Sequence, residues 1–314
     1  MQILSAKEEK NVKKQICVKE ERCPVMLIPD IVYSQNLDKT RMPQRPLKLS
    51  FLRPNIWYTG KEIAEGTPLP EKLPTILWLT GGGFWRTMPL RYAAEYNYLV
   101  ERGYQIAMAD YRVSGEAVFP GAVQDVKTAV RFLKSHADQY GVDPERIAVM
   151  GESAGGYLAA MAGVSSETGV FDTDEWSGYD SRVRAVVDLY GLVNLPKRAD
   201  ESLKNNMGTL LTPEVKFLGD RGMKDEKTRW NANVLSHISE YTPPFLILHG
   251  TEDKVVPIEE SEMLYDALSE QGIPADFYAL EGEGHAGNTF WQDPVKEIIA
   301  GFLERHLQIA DNSR

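Results

Sequence analysis

The stretch Arg146–Gly156, RIAVMGESAGG, decides the reading of this chain. Ile147 to Met150 form a short apolar run of the kind that fills a buried strand. Gly151-Glu152-Ser153-Ala154-Gly155 follows at once, and the small residues that continue through Gly156 and YLAAMAG open a helix. A sharp strand-to-helix turn strains the backbone of its central residue, so small residues must flank that position two places either side. Ser153 sits there. Its hydroxyl is pushed out above the sheet edge, and the unpaired amides of the helix N-terminus face whatever charge forms beside it.

Working outward, short apolar runs alternate with amphipathic helices. TILWLT (75–80), QIAMAD (105–110), AVVDLYG (185–191), FLILHG (245–250) and DFYALE (276–281) read as further strands. Helices are predicted over Leu90 to Arg102, Ala122 to Gln139, Ile258 to Gln271 and Val295 to Leu307. VMLIPDIVYSQ and PLKLSFLRP precede them as two strands linked across Pro43 and Pro46, with a polar Gly/Pro loop through Gly60, Gly66, Pro68, Pro70 and Pro74 after them. Strand–helix repetition needs crossover connections, which gives an α/β fold with a mainly parallel sheet covered on both faces. The expected organisation is an N-terminal extension over 1–24 and one domain over 25–310. Residues 192–241 break the alternation, and they read equally as a cap over the site or as a plain surface excursion.

A hydroxyl is a poor nucleophile at neutral pH, so a base must take its proton as it attacks. Of five histidines, His136 falls in a predicted helix, His249 in a buried strand run, His237 in a polar stretch and His306 near the end of the last helix. His285 lies in the glycine-rich EGEGHAGN, after the final strand run, and is the candidate base. A carboxylate must hold that imidazole in one tautomer; HGTEDKVVP, directly after a strand, offers Glu252 and Asp253.

These segments together carry a resemblance. TGGGFW, DYR at Asp110 to Arg112, GVDPERIAVMGESAGGYLAA and PPFLILHGTEDKVVP resemble an esterase or lipase of the α/β-hydrolase superfamily. The likeness is to small carboxylesterases with acetyl-xylan and feruloyl esterase relatives (BD-FAE-like), near the hormone-sensitive-lipase group, and it runs from about Val25 to about Leu307. It implies an α/β-hydrolase fold and the chain order Ser153, Asp253, His285, with Asp253 preferred to Glu252 as the acid. Chymotrypsin-like and subtilisin-like architectures use other orders. The resemblance also assigns oxyanion-hole donors to the backbone of Gly82, Gly83 and Ala154, each worth about 3 kcal/mol in a transition state. Such families usually carry His where this chain has Thr80, which leaves open how the loop is braced. Read without the resemblance, TGGGF is a flexible turn or a phosphate loop, and the absence of a following Gly-Lys-Ser/Thr speaks against the second. Phe84, Trp85 and Trp291 flank the catalytic loops and are expected either to line a substrate pocket or to pack in the core. Asp110 and Arg112 read as structural partners.

The implied activity is hydrolysis of short acyl esters, including acetyl esters of sugars or xylan fragments, with no metal or organic cofactor. Two other readings stay open: an acyl-peptide or amide hydrolase, and a non-catalytic binding protein built on a hydrolase fold. The formal charge of −10, from 45 acidic and 35 basic side chains, opposes binding to nucleic acid and anionic lipid. Lys10, Lys13 and Lys14 are interleaved with Glu8 and Glu9 and read as a solvated face. No run approaches 18 uncharged apolar residues, and the polar start lacks an apolar signal segment, so no membrane span and a cytoplasmic location are expected. Cys17 and Cys23 read as unpaired thiols, without neighbours to complete a metal site. Self-association stays open.

Overall fold

The computed structural model describes residues 15–18, 24–35, 44–55, 72–205 and 212–307. Most of the N-terminal extension, the Gly/Pro loop from Gly60 to Pro70, Cys23 and residues 206–211 of the excursion lie outside the described residues. Cys17 is exposed and free.

Among the described residues eight strands form one sheet: β1 (Val25–Ser34), β2 (Leu47–Pro54), β3 (Leu73–Leu79), β4 (Gln105–Ala109), β5 (Val142–Glu152), β6 (Ala185–Leu189), β7 (Phe245–Gly250) and β8 (Ala275–Leu280). Their spatial order is β1-β2-β4-β3-β5-β6-β7-β8. The β1/β2 and β2/β4 pairs are antiparallel and every later pair is parallel. The central strands β3, β4, β6 and β7 and the second half of β5 are mostly apolar and buried because helices cover both faces.

The helices are α1 (Asn97–Glu101), α2 (Gly121–Ser135), α3 (Ala137–Tyr140), α4 (Ala154–Val164), α5 (Leu195–Asn205), α6 (Pro213–Lys224), α7 (Glu226–Asn231), α8 (Glu259–Glu270) and α9 (Asp293–Leu307). On one face Val123 and Val126 of α2, Tyr157 and Leu158 of α4 and Leu264 of α8 close over Leu77, Val149, Val186 and Ile247. On the other, Leu99 and Val100 of α1 and Ile299, Phe302 and Leu303 of α9 close over Ile76, Met150, Val187 and Leu248. Every residue of α4 is buried. Its small side chains permit that closeness, since a methyl on Gly163 would run into Val186.

Two predicted helices are shorter than the sequence pattern. The segment read as Leu90 to Arg102 is a 3-10 turn (Ala93–Tyr96) followed by α1. Tyr96 is pinned inward by Trp78, ring centroids 4.8 Å apart, and no side chain caps either start. The helix read to Gln139 stops at Ser135, because His136 leaves the helical conformation (φ −110°, ψ 24°) and stacks on Phe132 at 4.2 Å. His136 therefore marks a junction rather than a helix interior.

The excursion of residues 192–241 carries α5, α6 and α7 and leaves and rejoins the fold at one place. Asn194 pairs with Asn233, and the Val234 N–H donates to the Val193 carbonyl at 3.1 Å. Glu260 of α8 takes the Val193 and Asn194 N–H groups on one oxygen, both at 2.7 Å. Inside α6, Gly219 at φ 72° kinks the chain over Val118.

Candidate active site

Ser153 occupies the junction of β5 and α4 with φ 54° and ψ −119°, a region that side chains other than glycine rarely adopt. Its N–H donates to the Leu189 carbonyl at 2.8 Å, which ties the strained residue to β6. The flanking glycines are obligatory for space. A methyl on Gly151 would collide with the Gly155 carbonyl, one on Gly155 with the Leu79 carbonyl, and one on Gly156 with the Asp188 carboxylate.

The end of β7 delivers the acid and the end of β8 delivers the base. The loops behind them are stitched together: Thr251 N–H donates to Leu280 O at 3.0 Å, Glu252 N–H to Glu283 O at 2.9 Å, and Gly282 N–H to Thr251 Oγ1 at 2.9 Å. Glu283 in turn accepts from the N–H groups of Gly284 and Thr289, at 2.9 and 2.8 Å, bracing the glycine-rich segment. The result brings Ser153, Asp253 and His285 into contact. His285 Nε2 lies 2.9 Å from Ser153 Oγ, and His285 Nδ1 lies 2.6 Å from Asp253 Oδ2. With Nδ1–H given to the carboxylate, Nε2 is left bare to accept the serine proton.

Asp253 rather than Glu252 makes this bond. Its Oδ1 accepts from the N–H groups of Val255 and Val256, at 2.8 and 2.9 Å. Burial opposes the charge, but hydrogen bonds from His249, His285 and the Val256 amide outweigh it and hold the carboxyl well below the usual carboxylate range. Next to His285, the Tyr190 ring stands edge-on at 5.0 Å.

The glycine loop after β3 turns sharply. Gly82 has φ 137°, Gly83 φ 60° and Phe84 φ 58°, and the Trp85 N–H closes the turn on the Gly82 carbonyl at 3.1 Å. Gly81 lies against the nucleophile, where a Cβ would stand 2.9 Å from that of Ser153. Side chains from neighbouring elements brace this loop. The Tyr111 hydroxyl donates to the Thr80 carbonyl at 2.6 Å, and Glu152 Oε1 accepts from the Gly81 N–H at 2.8 Å. Glu152 Oε2 accepts from the Tyr190 hydroxyl at 3.1 Å. Ala154, the first residue of α4, follows Ser153 directly.

The aromatic candidates divide. Phe84 is 1% exposed and stacks on Phe217 of α6 at 4.0 Å, so it joins the core beneath the excursion. Trp291 stacks on Tyr92 at 4.2 Å and meets Trp78 and Tyr96 edge-on. Trp85 alone of the three is largely open, 49% exposed, with the Lys216 ammonium 5.0 Å from its ring centre. Asp110 pairs with Arg45, and Arg112 with Asp125 at 2.6 Å, both as structural ties.

Sequence reasoning missed three groups around this centre. Glu152 was only the variable position of G-x-S-x-G, and His249 only a residue of a buried strand. Asp188 lies in β6 opposite Gly151, fully buried, and accepts from the Gly191 N–H at 2.9 Å. Burial raises its pKa to about 7, against the opposing pull of His249 and that amide. Among the described residues, no cluster of three or more His, Cys, Asp or Glu is arranged to hold a metal ion. No helix among them is long and apolar enough to cross a membrane.

The probable carboxylic ester hydrolase LipM of Mycobacterium tuberculosis is 29% identical over 229 residues, covering 72% of this chain and 49% of that protein. The esterase LipC of the same organism is 30% identical over 243 residues, 76% of this chain and 60% of LipC. The chain thus spans about half the length of the curated relatives it matches. A propionate-bound structure of the thermophilic esterase Est2 from Thermogutta terrifontis superposes with a TM-score of 0.69 at 24% identity, covering 90% of this chain and 96% of Est2. That likeness establishes the α/β-hydrolase fold. The family model BD-FAE matches residues 64–268, well over half of the chain, and this protein belongs to the BD-FAE family.

Proposed function

We propose that this chain is a serine carboxylesterase acting on short-chain acyl esters. The observation that carries the reading is the unbroken hydrogen-bond chain from Ser153 Oγ through His285 to Asp253, at 2.9 and 2.6 Å. His285 takes the hydroxyl proton as Ser153 attacks the ester carbonyl, and Asp253 stabilises the imidazolium that forms. The oxygen that gains charge is met by the backbone N–H groups of Gly82, Gly83 and Ala154. His285 then passes the proton to the departing alcohol, and water, activated the same way, releases the acyl group. The mechanism needs no metal and no organic cofactor.

Membership of a family of esterases and the curated relatives named for ester hydrolysis support the reaction class. Acetyl esters of small sugars or xylo-oligosaccharides are the proposed substrates, on the resemblance to acetyl-xylan relatives. The helical excursion is proposed as a fixed cap, held down by Phe217 on Phe84. Ser153→Ala is the deciding variant: cleavage of p-nitrophenyl acetate should vanish while the protein stays folded, and full residual activity would overturn the assignment. A panel of p-nitrophenyl esters beside acetylated xylo-oligosaccharides then sets acyl length and alcohol.

A further inference from the structure

We propose that His249 is a positioning residue for the reaction: a second imidazole set against the same Asp253 carboxylate oxygen that His285 binds. The inference rests on the triad reading above and extends it to a residue that touches no substrate.

His249 is the penultimate residue of β7 and is 0% exposed. Its Nε2 lies 2.8 Å from the Val256 carbonyl oxygen and 3.3 Å from Asp253 Oδ2. Both are acceptors, so Nε2 must carry the hydrogen, which it gives to Val256 while lying beside the carboxylate. Its Nδ1 lies 2.7 Å from Ser261 Oγ of α8, also fully buried. In the neutral ring Nδ1 is then bare and accepts from the Ser261 hydroxyl. One tautomer satisfies every group, and the ring is clamped between a helix and the acid-bearing loop.

The consequence falls on the carboxylate. An ionised carboxylate offers about four lone-pair directions. Here Oδ1 accepts from two backbone amides and Oδ2 from His285, with His249 Nε2 3.3 Å from the same oxygen. Without His249, Oδ2 would be held by His285 alone, the very group whose orientation it is meant to set. With it, the carboxylate plane is fixed by groups that take no part in proton transfer. A buried imidazole is costly unless both nitrogens are paired, and an apolar residue would fill the same strand position more simply, as Phe245 and Ile247 do on the same face. The other carboxyls nearby have separate duties: Asp188 accepts from Gly191, and Glu260 of α8 accepts from Val193 and Asn194.

The test compares two variants of the whole chain with p-nitrophenyl acetate. His249→Leu removes the donor at similar volume, whereas His249→Gln restores an N–H near the Nε2 position. The expected result is a kcat loss of about 10- to 100-fold for His249→Leu with little change in KM, by the cost of small misplacements in a proton-transfer site. His249→Gln should recover most of that loss. A folded His249→Leu with parental kcat, or two variants equally impaired, would overturn the inference. Nitrogen-15 NMR of the parent protein decides independently if His249→Leu does not fold: His249 should be protonated at Nε2 and bare at Nδ1, and the opposite tautomer would sink the proposal. A fully active Ser153→Ala would defeat the triad reading itself; an inactive Ser153→Ala beside a fully active His249→Leu would defeat only this extension.

Discussion

Glu152 Oε1 accepts a hydrogen bond from the Gly81 N–H at 2.8 Å, so the residue before the nucleophile holds the loop that faces it. Ser153 and the glycine loop after β3 are thereby set against each other through one side chain. Its other oxygen accepts from Tyr190, whose ring packs edge-on against His285, so the same carboxyl also reaches the wall of the base.

Glu152→Ala should therefore lower kcat by about 10- to 100-fold while KM for a small ester changes little, because a displaced donor matters most in the transition state. Glu152→Gln, which keeps an oxygen for Gly81, should stay within a few-fold of the parent. Steady-state kinetics on both variants checks this; equal losses would mean that charge, not the hydrogen bond, is what counts.

Gly82→Ala should cost about 100-fold or more in kcat. At φ 137° an L side chain is strained, and its Cβ would collide with the Arg86 carbonyl, so the turn that carries the proposed Gly82 and Gly83 donors cannot persist. Circular dichroism should remain native, which separates a spoiled loop from a spoiled fold.

Phe217→Ala should destabilise the protein by about 3 kcal/mol, the usual cost of emptying a buried aromatic site. Phe217 is fully buried, stacks on Phe84, and accepts the Phe119 N–H on its carbonyl at 2.7 Å. Urea denaturation gives the number. A rise in KM without a matching fall in kcat would show that the excursion also shapes substrate binding.

Asp188→Asn should gain stability relative to the parent as pH rises from about 4 to about 7, and the gain should be flat above that. In the unfolded chain this carboxyl ionises near its ordinary value of about 3.9; in the fold, burial raises the value to about 7. The native state thus holds the proton more tightly, and its advantage declines by about 1.4 kcal/mol per pH unit across that window. Asparagine cannot ionise and removes the dependence. Denaturation curves of both proteins at pH 4.5 and pH 7.5 should differ in the stated sense.

The strand-turn-helix around Ser153 was legible because its glycines answer to space alone, and spacing is what a sequence displays. The parallel order of strands followed for a similar reason: runs buried on both faces must be apolar throughout. Strand ends pointed to His285 and to the pair Glu252 and Asp253, and the resemblance preferred Asp253, the one that the structure brings to His285. Helix lengths were less legible. Tyr96 and His136 left the helical path to meet Trp78 and Phe132, aromatic partners remote or hidden in a one-dimensional pattern. For Phe84 the sequence left pocket and core equally open, and the structure packs it in the core against Phe217. Glu152, His249 and Asp188 stayed silent for a common reason. Their meaning lies in hydrogen-bond partners 3 to 71 positions away, which no local period encodes.

The closed space at Gly151, Gly155 and Gly156 also limits how this protein can change. A turn with no room for a methyl at those positions offers no gradual path by which single replacements could reshape it while each intermediate still works. Variation in what the protein accepts must come from elsewhere, at open positions such as Trp85 and Val255 or along α5 to α7. A mutant library built for altered selectivity belongs there, and one aimed at the glycines would be spent on chains that never assemble a nucleophile.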